Sequence, residues 1–329
     1  MVARATPLNR ACLAASRRQV LRTSRDRREQ FSRPCSRRAR QARLASVEWH
    51  RAPATSVSIV EKISKLRTGS IESFGSQWSR FNELGEVAVG DGADAWFRQW
   101  IGSFNPDLLR GARVAEIGAG VGRSLYNMSK FEPAELIGYE PSECFSFLEQ
   151  NMAGIPNCRL ENRGGHDFEE KNLDYVLSIG VIHHIPDPLP VIKNVYRSLK
   201  SGGQLVFWVY GSQARGYVTL QKILRKVTSR MSDSLLHVIC RLFAFLVSGY
   251  AALIRILRVR RAPLYEYLVT TFRPLSIEFR KIVIFDQLNP VWSHYYSRQE
   301  LESLVCSAGF SRPKIEEKGG YSWTVICTR

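Results

Sequence analysis

The residues best suited to chemistry lie in the middle of the chain. Glu116-Ile-Gly118-Ala-Gly120-Val-Gly122-Arg123 closes a short apolar run with an acid and three glycines at alternate positions. Glycines there let the backbone turn sharply and approach a ligand closely, with the N-terminus of a following helix beside it. Glu140 ends the next apolar run, where a carboxylate can accept hydrogen bonds from two ribose hydroxyls. His183 and His184 follow a third run, and imidazole exchanges protons near neutral pH. His294, Tyr295 and Tyr296 stand near the end of the chain as acceptor-pocket candidates.

These residues need a scaffold that delivers them to one edge. Residues 113–117, 136–140, 173–179 and 205–209 read as buried strands, and 141–152 and 188–199 as helices between them. Further helices are expected at 57–66 and 94–101. The capping box Ser297-Arg-Gln-Glu300 opens another, closed by Gly309, and 314–318 and 322–327 read as two last strands. Strands alternating with helices imply right-handed crossovers and a parallel sheet covered on both faces, with ligands at its carboxyl edge.

In a dinucleotide fingerprint the third glycine would fall at position 123, which is Arg. The series actually present resembles motif I of class I S-adenosylmethionine-dependent methyltransferases. Leu173-Asp174 through His183-His184-Ile-Pro-Asp187-Pro188 is similar to the stretch after motif IV in their small-molecule members, and Ala308-Gly309-Phe310 to the end of their last helix. The resemblance covers about residues 74–211 and 291–329. It implies an α/β, doubly wound, seven-stranded, mainly parallel sheet of the Rossmann-like methyltransferase type with a helical cap insert. It implies S-adenosyl-L-methionine as cofactor and no metal. Glu116 would face the cofactor's cationic amino acid end, Gly118, Gly120 and Gly122 would form the turn, Glu140 would take the ribose, and Asp167 would lie near the adenine amino group. Phe74 and Trp78 would close over it from an N-terminal lid. His183 or His184 would serve as base if the acceptor is a hydroxyl or enol-type carbon.

The charge is uneven. The 329 residues carry a formal +17, but residues 1–51 hold 14 arginines, no lysine and only Asp26, Glu29 and Glu48 as acids, a local +11. That segment lacks the apolar spacing of a buried helix and is expected to be disordered. A basic arm, a transit peptide and a start set too far upstream compete to explain it, the last being favoured. Seven scattered cysteines without a CxxC pair argue against a zinc site or disulfide framework. The expected organisation is a leader at 1–56, lid helices at 57–105, a cofactor core at 106–211, a substrate cap at 212–290 and a return to the core at 291–329.

Within the cap, the 13 residues 242–254 are almost wholly apolar and are followed by Arg255, Arg258, Arg260 and Arg261. The run is too short for a bilayer span, so a buried cap helix is the first reading; contact with a membrane surface through residues 235–261 is the second. The activity expected is methyl transfer to a small-molecule or lipid- or glycan-linked acceptor, at oxygen or carbon, in a cytoplasmic protein, peripheral to the inner membrane face on the second reading. A nucleic-acid acceptor is judged unlikely: the place of the Asn/Asp-Pro-Pro-aromatic tetrad reads Ser178-Ile-Gly-Val181, and no Pro-Cys nucleophile stands there. A nicotinamide-dependent oxidoreductase and a non-catalytic cofactor binder are the remaining alternatives.

Overall fold

Short runs of branched and aromatic residues flanked by glycine become strands where both faces of a sheet can be covered. The computed structural model describes residues 56–79, 93–228, 231–265, 267–273, 275–290 and 292–329. Within them β1 (Arg113–Ile117), β2 (Glu135–Tyr139), β3 (Cys158–Glu161), β4 (Leu173–Ile179) and β5 (Leu199–Tyr210) form parallel neighbours. β7 (Ser322–Thr328) runs antiparallel between β5 and β6 (Ser311–Lys318), giving the order β3-β2-β1-β4-β5-β7-β6. This is the doubly wound, mainly parallel seven-stranded sheet expected. Its order reverses between β1 and β4, and open α/β sheets bind ligands at the carboxyl edge of such a switch point.

Alternate strand residues feed two cores. On one face Phe97, Trp100 and Ile101 of α2 (Ala93–Ile101), Leu125 and Met128 of α3 (Arg123–Ser129), and Leu148 and Met152 of α4 (Phe145–Met152) pack on Val114, Leu136, Leu177 and Val206. On the other, Val191, Ile192 and Val195 of α5 (Leu189–Ser198) join the buried face of the helix opened by the capping box, packing on Ala115, Ile137, Val176 and Phe207. An earlier helix, α1 (Ser56–Ser79), runs well beyond the ten residues expected.

Some elements depart from the sequence reading for local reasons. The second crossover helix starts at Phe145 rather than Pro141, because Glu140 Oε1 accepts the Ser142 N–H at 2.9 Å and holds residues 140–144 in a turn. β3, unforeseen, is four half-buried residues, Cys-Arg-Leu-Glu, at the sheet edge, with no apolar pattern to announce it.

The insert is helical as expected. It comprises α6 (Arg215–Thr228), α7 (Asp233–Ile256), a π-helical turn at Tyr267–Phe272 and α8 (Ile277–Leu288); α9 (Arg298–Ala308) then returns the chain to the sheet. Leu236, Cys240, Ala251 and Ile254 of α7 meet Phe272, Phe285 and Leu288 in a third core. The reading of α7 as a buried helix therefore holds for one face only; Leu242, Leu246 and Leu253 point outward. Run length also understated it: Ser234–Ile256 is long and apolar enough to cross a membrane, although its inner stripe is already packed on protein.

Candidate active site

The chain turns from β1 into α3 through residues 118–122. Gly118 and Ala119 both donate their N–H to Tyr139 O, at 2.8 and 2.9 Å, so the turn is stapled to β2. Gly120, at φ +57°, donates its N–H to Glu140 Oε2 at 2.8 Å, and a Cβ built on it would meet nothing within 4 Å. That open space is the cradle. Gly118 differs: a Cβ there would lie 2.4 Å from Val181 Cγ2, so its smallness also serves packing. Gly122 caps α3, and its Cα faces Leu148 and Met152 rather than the cavity.

A cavity of about 510 Å³ opens from this turn toward the cap. Its floor holds Glu116, Gly118, Gly120, Glu140 and Asp167, and its far wall Tyr210, Phe279, Asp286 and Tyr295. Glu116 is 1% exposed; burial pushes its carboxyl up to about 8, against the opposing pull of Ser124 and Arg123. Its Oε2 has no hydrogen-bond partner among the described residues. A buried acid with an unspent oxygen beside an open glycine cradle fits a ligand with a cationic amino acid end and a bulky nucleoside. Arg123, also on the wall, lies 4.4 Å from the ring centroid of Trp100 and stays cationic although burial lowers its pKa to about 10.

The expected site residues separate. His184 lies on the wall, its Nδ1 3.0 Å from Trp292 O. A carbonyl only accepts, so Nδ1 carries the proton and Nε2 is the basic nitrogen. Burial drives the His184 pKa down to about 4, which keeps the ring neutral at physiological pH. His183 is off the wall, fully buried, its ring 4.0 Å from both His184 and Tyr210, and burial holds its pKa well below the ordinary value. Tyr295 is on the wall and stacks on Tyr210 at 5.7 Å. Tyr296 lies in the sheet core, its carbonyl accepting from Trp323 Nε1 at 2.8 Å, and His294 faces outward to Glu300 at 3.2 Å. The side chains of Phe74 and Trp78 lie outside the described residues.

Sequence reasoning missed the polar wall of the cap. Tyr210 Oη donates to Asp286 Oδ2 at 2.5 Å and accepts from Gln287 Nε2 at 2.7 Å. Gln221 Nε2 donates to Gln287 Oε1 at 2.5 Å, and Tyr295 Oη donates to Gln221 Oε1. Arg225 Nε donates to Gln287 O at 2.6 Å. The one available signal was an acid and an amide, Asp286-Gln287, inside an otherwise apolar helix end.

The strand order, the Gly-rich turn and the paired acids define a class I S-adenosylmethionine-dependent methyltransferase domain, and residues 115–205 match the family described as methyltransferase domain. Residues 115–205 are thus a methyltransferase domain within the chain. Over 112 residues it is 34% identical to the tRNA U34 carboxymethyltransferase of Desulfotalea psychrophila, covering 32% of this chain and 34% of that one. Over 121 residues it is 31% identical to the tRNA U34 carboxymethyltransferase of Helicobacter pylori, covering 33% and 46%. The chain thus spans less than half the length of these curated relatives. A SAM-dependent methyltransferase of Thermotoga maritima aligns at 17% identity and TM-score 0.42, over 72% of this chain and 88% of that one, a likeness that bears no weight beside the strand order.

These relatives overturn the expectation that nucleic acid is an unlikely partner: proteins sharing this cofactor core are named for tRNA. The missing tetrad misled because it positions an exocyclic amine, and transfer to another atom of a base does not require it.

Proposed function

We propose that the chain is an S-adenosylmethionine-dependent transferase whose acceptor is a base of a structured RNA, drawn out of its stack into the cavity under the cap. The carrying observation is that one cavity joins an acid-and-glycine floor to a chamber walled by Trp208, Tyr210, Phe279 and Tyr295. Enzymes that modify bases extrude the target and hold it between aromatic rings, paying a few kcal/mol of unstacking. The tRNA named for the relatives supports the acceptor class. In this division residues 106–211 and 291–329 hold the donor and 212–290 cover the acceptor, in a protein of the cytoplasm.

When bound, the cofactor supplies a methyl on an already activated leaving group, which leaves alignment and exclusion of water to the protein. Glu116 holds the cationic amino acid end and Gly120 gives the nucleoside its space. Glu140 fixes the turn by accepting from Gly120 and faces the ribose. His184 Nε2 takes the acceptor proton, with Trp292 O holding the tautomer. His183 backs the His184 ring, and Tyr210 with Asp286 sets the depth of the acceptor.

One observation favours a second reading of the group moved. Transfer of a carboxymethyl group, as the relatives' names state, needs a cation for the added carboxylate, and Arg123 is a half-buried cation on the wall of the cavity. The test is to incubate the protein with bulk tRNA and, in separate arms, S-adenosylmethionine or its carboxymethyl-sulfonium counterpart as donor, and to analyse digested nucleosides by mass. A modified nucleoside is expected, its mass distinguishing methyl from carboxymethyl. An unmodified digest, from protein that binds the donor calorimetrically, would refute the RNA reading.

A further inference from the structure

The outward face of α7 is independent of the cavity. At about 100° per residue, Leu235, Val238, Leu242, Leu246, Leu253 and Ile256 fall within an arc of about 80°. Each is between 50% and 76% exposed. The opposite stripe, Leu236, Cys240, Ala244, Ala251 and Ile254, is at most 5% exposed and packs on the cap core. The helix therefore lies along the protein, about 36 Å long at 1.5 Å per residue, with a continuous apolar ridge facing away. Monomeric surfaces rarely leave so large an apolar strip bare.

The charges around the ridge have one sign. Arg241, Arg255, Arg258, Arg260 and Arg261 are exposed, and residues 234–265 contain no acid. We propose that this face docks on an anionic lipid surface, with the leucines entering the boundary between headgroups and acyl chains and the arginines at phosphate level. A second copy would meet the ridge with the same arginines and offer them no carboxylate in either direction of pairing. RNA would satisfy the arginines but has nothing for the leucines. An anionic bilayer supplies both halves, an apolar layer beneath a sheet of phosphates.

The test uses the full chain and extruded vesicles of phosphatidylcholine, with and without phosphatidylglycerol, in a sedimentation assay. Strong binding is expected only to the anionic vesicles. The double variant Leu242→Gln/Leu246→Gln leaves the net charge unchanged, so the arginine-rich N-terminal segment contributes equally to both proteins. It should lower partitioning at least about tenfold. Arg258→Gln/Arg260→Gln should lower the preference for phosphatidylglycerol about fivefold per arginine. Cofactor binding and the melting temperature of each variant serve as folding controls, since these side chains are exposed. Equal vesicle binding by the leucine variant would overturn the proposal. So would a parent dimer in the ultracentrifuge that this variant dissociates, or a leucine variant whose main loss is affinity for tRNA.

Discussion

Glu116 meets two conflicting demands. Burial favours its neutral form and raises its pKa to about 8, while a cationic ligand pairs only with the carboxylate. On the role proposed for Glu116, the proton leaves at neutral pH as the ligand arrives. Donor affinity should therefore rise with pH up to about 8 and then level, and calorimetry at pH 7 in buffers of different ionisation enthalpy should show proton release. Glu116→Gln should remove that release and weaken binding at least about tenfold, the scale of one lost charge-assisted pair. Release unchanged in the variant would locate the proton elsewhere. Linkage gives the ligand-free protein the opposite trend. A folded pKa above the unfolded one stabilises fully below about 4.5 and is lost as pH climbs through about 8, while His184, lowered to about 4, stabilises above about 6.5 and loses that effect as pH falls through 4.

At the scale of elements, the cap is fastened to the sheet by polar side chains. Tyr210, the last residue of β5, reaches Asp286 and Gln287 on α8, and Gln221 of α6 meets the same glutamine. Burial and the Asp286 carboxylate keep the Tyr210 hydroxyl protonated, so it can only serve that acid as a donor. Tyr210→Phe should cost about 1.5–3 kcal/mol, the worth of a hydrogen bond to a charged group. It should lower turnover more than donor affinity, because the donor floor lies elsewhere on the cavity. Equal loss of both, by calorimetry and single-turnover assay, would contradict a role confined to the acceptor side. The donor half of the site was legible because its signals are local: an acid, glycines at alternate positions and Glu140 at the next strand end all sit within one βαβ unit. The cap half of the cavity was not. Asp286 and Gln221 belong to no motif and matter only because the topology folds α6 and α8 over β5. Tyr296 and His294 were misplaced for the complementary reason: in the extended stretch before α9 neighbouring side chains point in different directions, and Tyr295 alone of the three faces the cavity.

Among the described residues two cores sandwich the sheet, a third lies inside the cap, and Phe279 with Ile282 forms a small fourth against Trp96. A unit with its own core, joined to the rest by polar side chains and by a few apolar contacts such as Phe279 on Trp96 and Tyr267 on Tyr321, can open without unfolding its neighbour. Amides of α8 should thus exchange with solvent at least about tenfold faster than those of β1, β4 and β5, and slow when donor and RNA are both bound. A single exchange rate across α8 and the sheet would refute separate opening. Charge was the least legible property at this scale. The formal +17 invited a nucleic-acid partner, its concentration in residues 1–51 argued the invitation away, and the tRNA named for the relatives restored it on other grounds. The outward ridge of α7 was hidden in the sequence because an apolar run does not say which of its sides is covered.

The segment returning from the cap touches both histidines. Trp292 O receives His184 Nδ1, and the His294 N–H reaches His183 O at 2.8 Å. The backbone that leaves the cap is thus also the one that fixes the tautomer of His184. On the proposed role of His184, lifting the cap would withdraw that carbonyl and free the ring to turn or exchange tautomers, and seating it would restore the tautomer. On that reading basicity at the reacting point is interlocked with closure of the cap, so that an ill-fitting acceptor that props it open would disarm the very group that would have taken its proton.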